Sequence, residues 1–99
     1  MATKEEAKRF LCDAAPEQCF WVNNGPIIKS IEELANFLPE MGDDAFKHHV
    51  NGEKNDFSSW IRDVFGDAKL ANDLLSSGSK DSAAKKVKTR VNSLKKKIG

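Results

Sequence analysis

Apolar residues recur along this chain at helical spacing, in short blocks divided by Pro, Gly, Asn and Ser. Thr3 and Glu6 precede Ala7, Phe10, Leu11 and Ala14, which fall at i, i+3, i+4 and i+7. A capping box followed by that spacing predicts a first helix over about 4–14, ended by Pro16. Ser30 and Glu33 repeat the box ahead of Ile31, Leu34, Ala35 and Leu38, giving a second helix over 31–38 that Pro39 stops. Asp43 or Asp44 stands where it would cap a short third helix carrying Phe46, His49 and Val50 and ending near Asn51-Gly52. Asn55 caps a fourth, in which Phe57, Trp60, Ile61 and Val64 share a face and Gly66 suits a left-handed end. Asp67 caps a fifth with Leu70, Ala71 and Leu74 inward, and Ser76-Ser77-Gly78-Ser79 reads as a flexible joint. In the last segment, from Asp81 to Ile98, Val87, Val91, Leu94 and Ile98 form an apolar stripe about two heptads long on a sixth helix.

Outside the helices, Cys19-Phe20-Trp21-Val22 runs into the turn formers Asn23-Asn24-Gly25-Pro26. No second β-branched run offers this segment a partner, so residues 19–22 are expected to be extended, with Phe20 and Trp21 plugging the core. Trp60 is expected in the core as well. The fold class is therefore all-α: a compact bundle of five to six short helices with at most one extended segment. Residues 1–78 form the helical domain, and 79–99 a basic amphipathic C-terminal helix. A chain of 99 residues, 39% hydrophobic, suits one domain with a small core. No apolar run reaches the ~18–20 residues a membrane helix needs, and no secretory stretch follows Met1–Arg9, so a cytoplasmic protein without a membrane partner is expected. Cys12 and Cys19 are read as reduced thiols acting as small buried hydrophobes.

Charge alters this picture. Residues 1–79 carry eight Lys and Arg against fourteen Asp and Glu, a net of −6. Residues 80–99 carry Lys80, Lys85, Lys86, Lys88, Arg90, Lys95, Lys96 and Lys97 against Asp81 alone, a net of +7. Such a division points to a tail that meets a polyanion such as DNA or RNA, or one that folds back on its own acidic body. With one arginine among eight basic residues, the tail suits the phosphate backbone better than base edges. Its stripe fits docking on the body and dimerisation equally.

Candidate chemistry gathers in Lys47–Asp56. His49 with Asp56 has the composition of a general base and the carboxylate that orients it. The structural alternative carries more weight: Asn55 and Asp56 begin a helix, where short polar side chains cap orphan N–H groups, and His49 lies on the apolar side with Phe46 and Val50. Adjacent His48 and His49 point to different helix faces, no HExxH spacing follows, and the two cysteines are seven apart, so neither metal nor cofactor is expected. No glycine-rich phosphate loop and no GxSxG turn occur.

The stretches FWVNNG at 20–25, IEELANFLPEM at 31–41, DDAFKHHVN at 43–51 and KNDFSSWIRDVFGDAKLA at 54–71 resemble a family of small uncharacterised prokaryotic domains, best known from archaea. The likeness covers 20–74 and includes Gly25, Phe46, His49, Asn55, Asp56, Phe57, Trp60, Asp67, Leu70 and Ala71. It implies a compact domain without an established activity, cofactor or substrate. The leading functional expectation is a non-enzymatic adaptor, whose body offers His48, His49, Asn55 and Asp56 to a protein partner while the lysine helix contacts a polyanion. The first alternative is a nucleic-acid-binding protein working through residues 80–99. The second is an enzyme using His49 and Asp56.

Overall fold

The computed structural model describes residues 3–23 and 25–99. α1 (Lys4–Phe10) starts in the expected box: the Glu6 N–H donates to Thr3 Oγ1, and the Glu6 carboxylate accepts the Thr3 N–H. The Thr3 backbone bond holds the Glu6 carboxyl below its ordinary range. The helix stops at Phe10, well before residue 14. Ala14 instead donates its N–H to the Lys29 carbonyl at 2.6 Å, a bond to a distant segment that replaces a further helical turn. The early stop overturns the expected burial of the cysteines. Cys12 lies past the helix and is exposed, while Cys19 is half-buried, and both are free thiols.

After a 3-10 turn at Pro16–Gln18, β1 (Phe20–Trp21) pairs antiparallel with β2 (Ile27–Ile28), with Phe20 opposite Ile28 and Trp21 opposite Ile27. The partner strand missed in the sequence is these two isoleucines, too short a run to show alternation. Side chains alternate across a strand, so of adjacent Phe20 and Trp21 only one can face inward. Phe20 and Ile28 do, whereas Trp21 is 71% and Ile27 50% exposed. The expected core position of Trp21 is thereby corrected. Bonds from Gly25 N to Val22 O and from Val22 N to Pro26 O close the hairpin. A Cβ at Gly25 would lie 2.8 Å from Val22 Cγ1, which is why a glycine stands there. Met1, Ala2 and Asn24 of the expected turn lie outside the described residues.

α2 (Ile31–Phe37) is capped by Ser30 and gives way to a 3-10 turn at Leu38–Glu40, as Pro39 requires. α3 (Asp43–His49) takes Gly42 as its N-cap, with Asp43 and Asp44 inside the first turn facing the positive helix end. Asn55 caps α4 (Asp56–Trp60) by accepting the Ser58 N–H. A π-helical turn, Ile61–Phe65, follows. Its wider winding buries Phe65 and leaves Val64 half-buried, a shift in the inward face that a 3.6-residue period does not foresee. Gly66 ends the turn at φ +77°, the left-handed conformation expected of it. Asp67 caps α5 (Ala68–Leu75).

The Ser76–Ser79 segment is held rather than loose. Ser76 and Ser77 donate to the Asp73 carbonyl, Ser77 is buried, and Ser79 caps α6 (Lys80–Ile98). Over its 19 residues α6 packs against α1, α2 with its 3-10 extension, and α5. Ala83, Val87, Val91 and Leu94 enter the same core as Ile31, Leu34, Leu38, Phe57, Ile61, Leu70 and Leu74, with Ile98 packed against its edge. The bundle is all-α apart from one hairpin of two two-residue strands, and the C-terminal helix packs into its core.

Candidate functional site

His49, at the end of α3, is buried to 6% exposure among Phe20, Phe57 and His48. Its Nε2 lies 3.0 Å from the Asn23 N–H in the hairpin. A backbone amide can only donate, so Nε2 is the acceptor and the ring proton sits on Nδ1, which donates to Asp56 Oδ2 at 2.9 Å. Both nitrogens are thus committed: the ring ties the hairpin to the start of α4 and leaves neither nitrogen to take a proton from a bound molecule. Partial burial raises the Asp56 carboxyl, but hydrogen bonds from His49 and Lys54 and the Lys54 charge outweigh it and bring it below its ordinary range.

The polar segment after α3 folds as a tight turn. Val50 bridges to Asn55, Asn51 donates to the Lys54 carbonyl, and the Asn51 side chain accepts the Glu53 N–H. Asn55 does double work, since its side-chain amide also donates to the Leu74 carbonyl at 3.0 Å and stitches α4 to α5. Ser58, three residues further on, donates to the Ala71 carbonyl at 2.7 Å in a buried position. Of the four residues expected to meet a partner, His49, Asn55 and Asp56 therefore make internal bonds and His48 alone is exposed. Trp60, in contrast to Trp21, is buried, and its Nε1–H donates to the Gln18 carbonyl at 2.7 Å.

Arg90 donates from Nε and Nη2 to both Asp67 oxygens at 2.9 Å, with the carboxylate almost fully buried. Lys80 reaches the Met41 carbonyl and Asp43, Lys86 the Asp73 carbonyl and Ser76 Oγ, and Lys95 the Glu32 carboxylate. Lys85, Lys88 and Lys96 are exposed, and Lys97 is half-buried. The Arg90 pair was not legible in the sequence, where Asp67 reads only as a cap and Arg90 only as a tail cation. One signal could have found it: a capping Asp at the head of a helix and a lone Arg on the edge of an apolar stripe.

Trp21 and Ile27 sit directly opposite each other, so they form a contiguous apolar patch on the outer face of the hairpin. The third exposed large hydrophobe, Leu75, stands alone beside a surface cleft of about 540 Å³ lined also by Val50–Asn55, Ser77 and Gly78. Among the described residues no group of three His, Cys, Asp or Glu side chains is placed to hold a metal, and no helix is long and apolar enough to cross a membrane. No family model, curated protein or solved structure matches this chain.

Proposed function

We propose that this chain is a non-enzymatic binding module whose hairpin presents Trp21 and Ile27 to a protein partner. The observation that carries this reading is the exposure of a tryptophan and its cross-strand isoleucine on a hairpin anchored from behind by Phe20, Ile28 and the His49–Asn23 bond. An indole on a rigid support makes a strong interface anchor, because it offers large area and loses little conformational freedom on binding. A solitary exposed Leu75 is ordinary surface and adds nothing. The commitment of both His49 nitrogens supports a binding role over an acid–base one. The residues shared with the archaeal family pattern act here as core, caps and ties, so we read that likeness as one of scaffold. The two free thiols suit a reducing cytoplasm.

A photo-crosslinking residue in place of Ile27 tests the reading in the full chain. It should trap a protein partner that is lost when Trp21→Ala is added, with the unfolding midpoint unchanged. Trapping that ignores Trp21→Ala, or no trapping in the native host extract, overturns it.

A second surface is favoured by the exposed Lys85, Lys88 and Lys96, which are not needed to dock α6 and suit a polyanion. Binding of this kind should be non-specific and should weaken steeply as salt rises.

A further inference from the structure

A groove of about 340 Å³ runs between α5 and α6. On the α6 wall, Lys85, Thr89 and Ser93 follow one another at four-residue intervals and so form a single ridge, with Lys86 and Arg90 on the next. Lys69 and Asp73 of α5 face them. Four cations thus surround the groove. Lys69 leans on the Asp73 carboxylate at 3.1 Å and Arg90 is neutralised by Asp67, while Lys86 is held by a carbonyl and a hydroxyl, which cancel none of its charge. Two positive charges remain over the two carboxylates. Among the described residues, no hydrogen bond or ion pair engages the side chains of Lys85, Thr89 or Ser93, so an ammonium and two hydroxyls line the groove together with unused donor capacity.

We propose that this groove seats a phosphate group, with the Lys85 ammonium and the Thr89 and Ser93 hydroxyls donating to its oxygens and Lys69 and Lys86 supplying the surrounding positive field. A tetrahedral oxyanion accepts several donors at once, and charge-assisted donors bind it more strongly than neutral ones. The Lys69–Asp73 pair does not oppose this, because an exposed i,i+4 pair is weak and its lysine can turn to the anion. The aliphatic stems of the lysines provide apolar walls for whatever carries the phosphate. This inference rests on, and locates, the polyanion surface proposed above. It also extends that surface beyond the tail, since Lys69 belongs to α5.

The test follows backbone and methyl NMR signals of the full chain in titrations with inorganic phosphate, with a mononucleotide and with a single-stranded oligonucleotide, using chloride at matched ionic strength as control. Phosphate should move the signals of Lys69, Lys85, Thr89 and Ser93, and Lys85→Gln or Thr89→Ala should weaken binding about tenfold, as expected for one charge-assisted bond. Lys88→Gln, which lies outside the groove, should change it little. These positions are exposed, and unchanged unfolding midpoints verify the fold. A response to phosphate and mononucleotide alike identifies a small phosphorylated ligand. A response to the oligonucleotide alone, centred on the same residues, identifies a nucleic-acid backbone. Oligonucleotide binding that depends on Lys88 and Lys96 but not on Lys85 or Thr89 overturns the groove while leaving the polyanion surface standing. No response to any of the three anions overturns both.

Discussion

Replacing His49 by alanine removes two hydrogen bonds and leaves the Asn23 N–H without its acceptor beneath the hairpin. Together with the cavity, the expected loss is about 2–4 kcal/mol, measurable by urea unfolding. A substitution at His48, which is exposed, should stay within about 0.5 kcal/mol. Asp56 makes the same contact pH-dependent. Its carboxyl titrates lower in the folded protein than the ordinary 3.8, so the unfolded chain takes up the proton first as pH falls. The stabilisation is complete above the unfolded value and disappears as pH drops through the folded one. Asp56→Asn should therefore be less stable than the parent at neutral pH and should converge with it in acid; parallel curves of stability against pH would refute this. At Asp67 the consequence is larger. Arg90→Ala strands a buried carboxylate and should cost about 3–5 kcal/mol, whereas Lys96→Ala should be nearly silent.

At the level of elements, α6 is the test of what the tail is for. Val87, Val91 and Leu94 are buried to 4% exposure or less, and Leu94→Ala should cost about 2–5 kcal/mol, as large-to-small changes in a closed core do. A chain ending at Gly78 uncovers the faces of α1, α2 and α5 together and is expected to lose its cooperative unfolding transition and its dispersed NMR spectrum. A truncated chain that unfolds cooperatively would show α6 to be an appendage. Charge substitutions, not truncation, are for the same reason the proper probes of polyanion binding. Gly66→Ala, at φ +77° after the π-helical turn, should cost about 1–2 kcal/mol from backbone strain alone.

For the whole molecule, the −6 body and the +7 helix meet in part within the fold. Asp67, Asp43 and Glu32 each take a cation from α6, so part of the charge division is internal complementarity. Trp21→Ser should leave stability within about 0.5 kcal/mol of the parent while abolishing partner binding, since the side chain is surface and not core. Four of the helix starts were legible from short polar residues, because a cap is a contact between residues three apart and lies wholly within the local chain, while Ser79, which caps α6, read only as part of a joint. The inward faces were legible for the same reason, through the 3.6-residue period, until the π-helical turn shifted it at Phe65. The placement of the candidate residues was not. Trp21 faces solvent because Phe20 took the inward side of a two-residue strand; His49 is closed off because Asn23, 26 residues away, reached its second nitrogen; and Arg90 is buried because α6 brought it to Asp67. By itself the chain determined helices, caps and the all-α class, which depend on neighbours a few residues apart. Only the tertiary structure decided which polar groups meet one another and which remain exposed, since those pairings join residues that the sequence holds 23 and 26 positions apart.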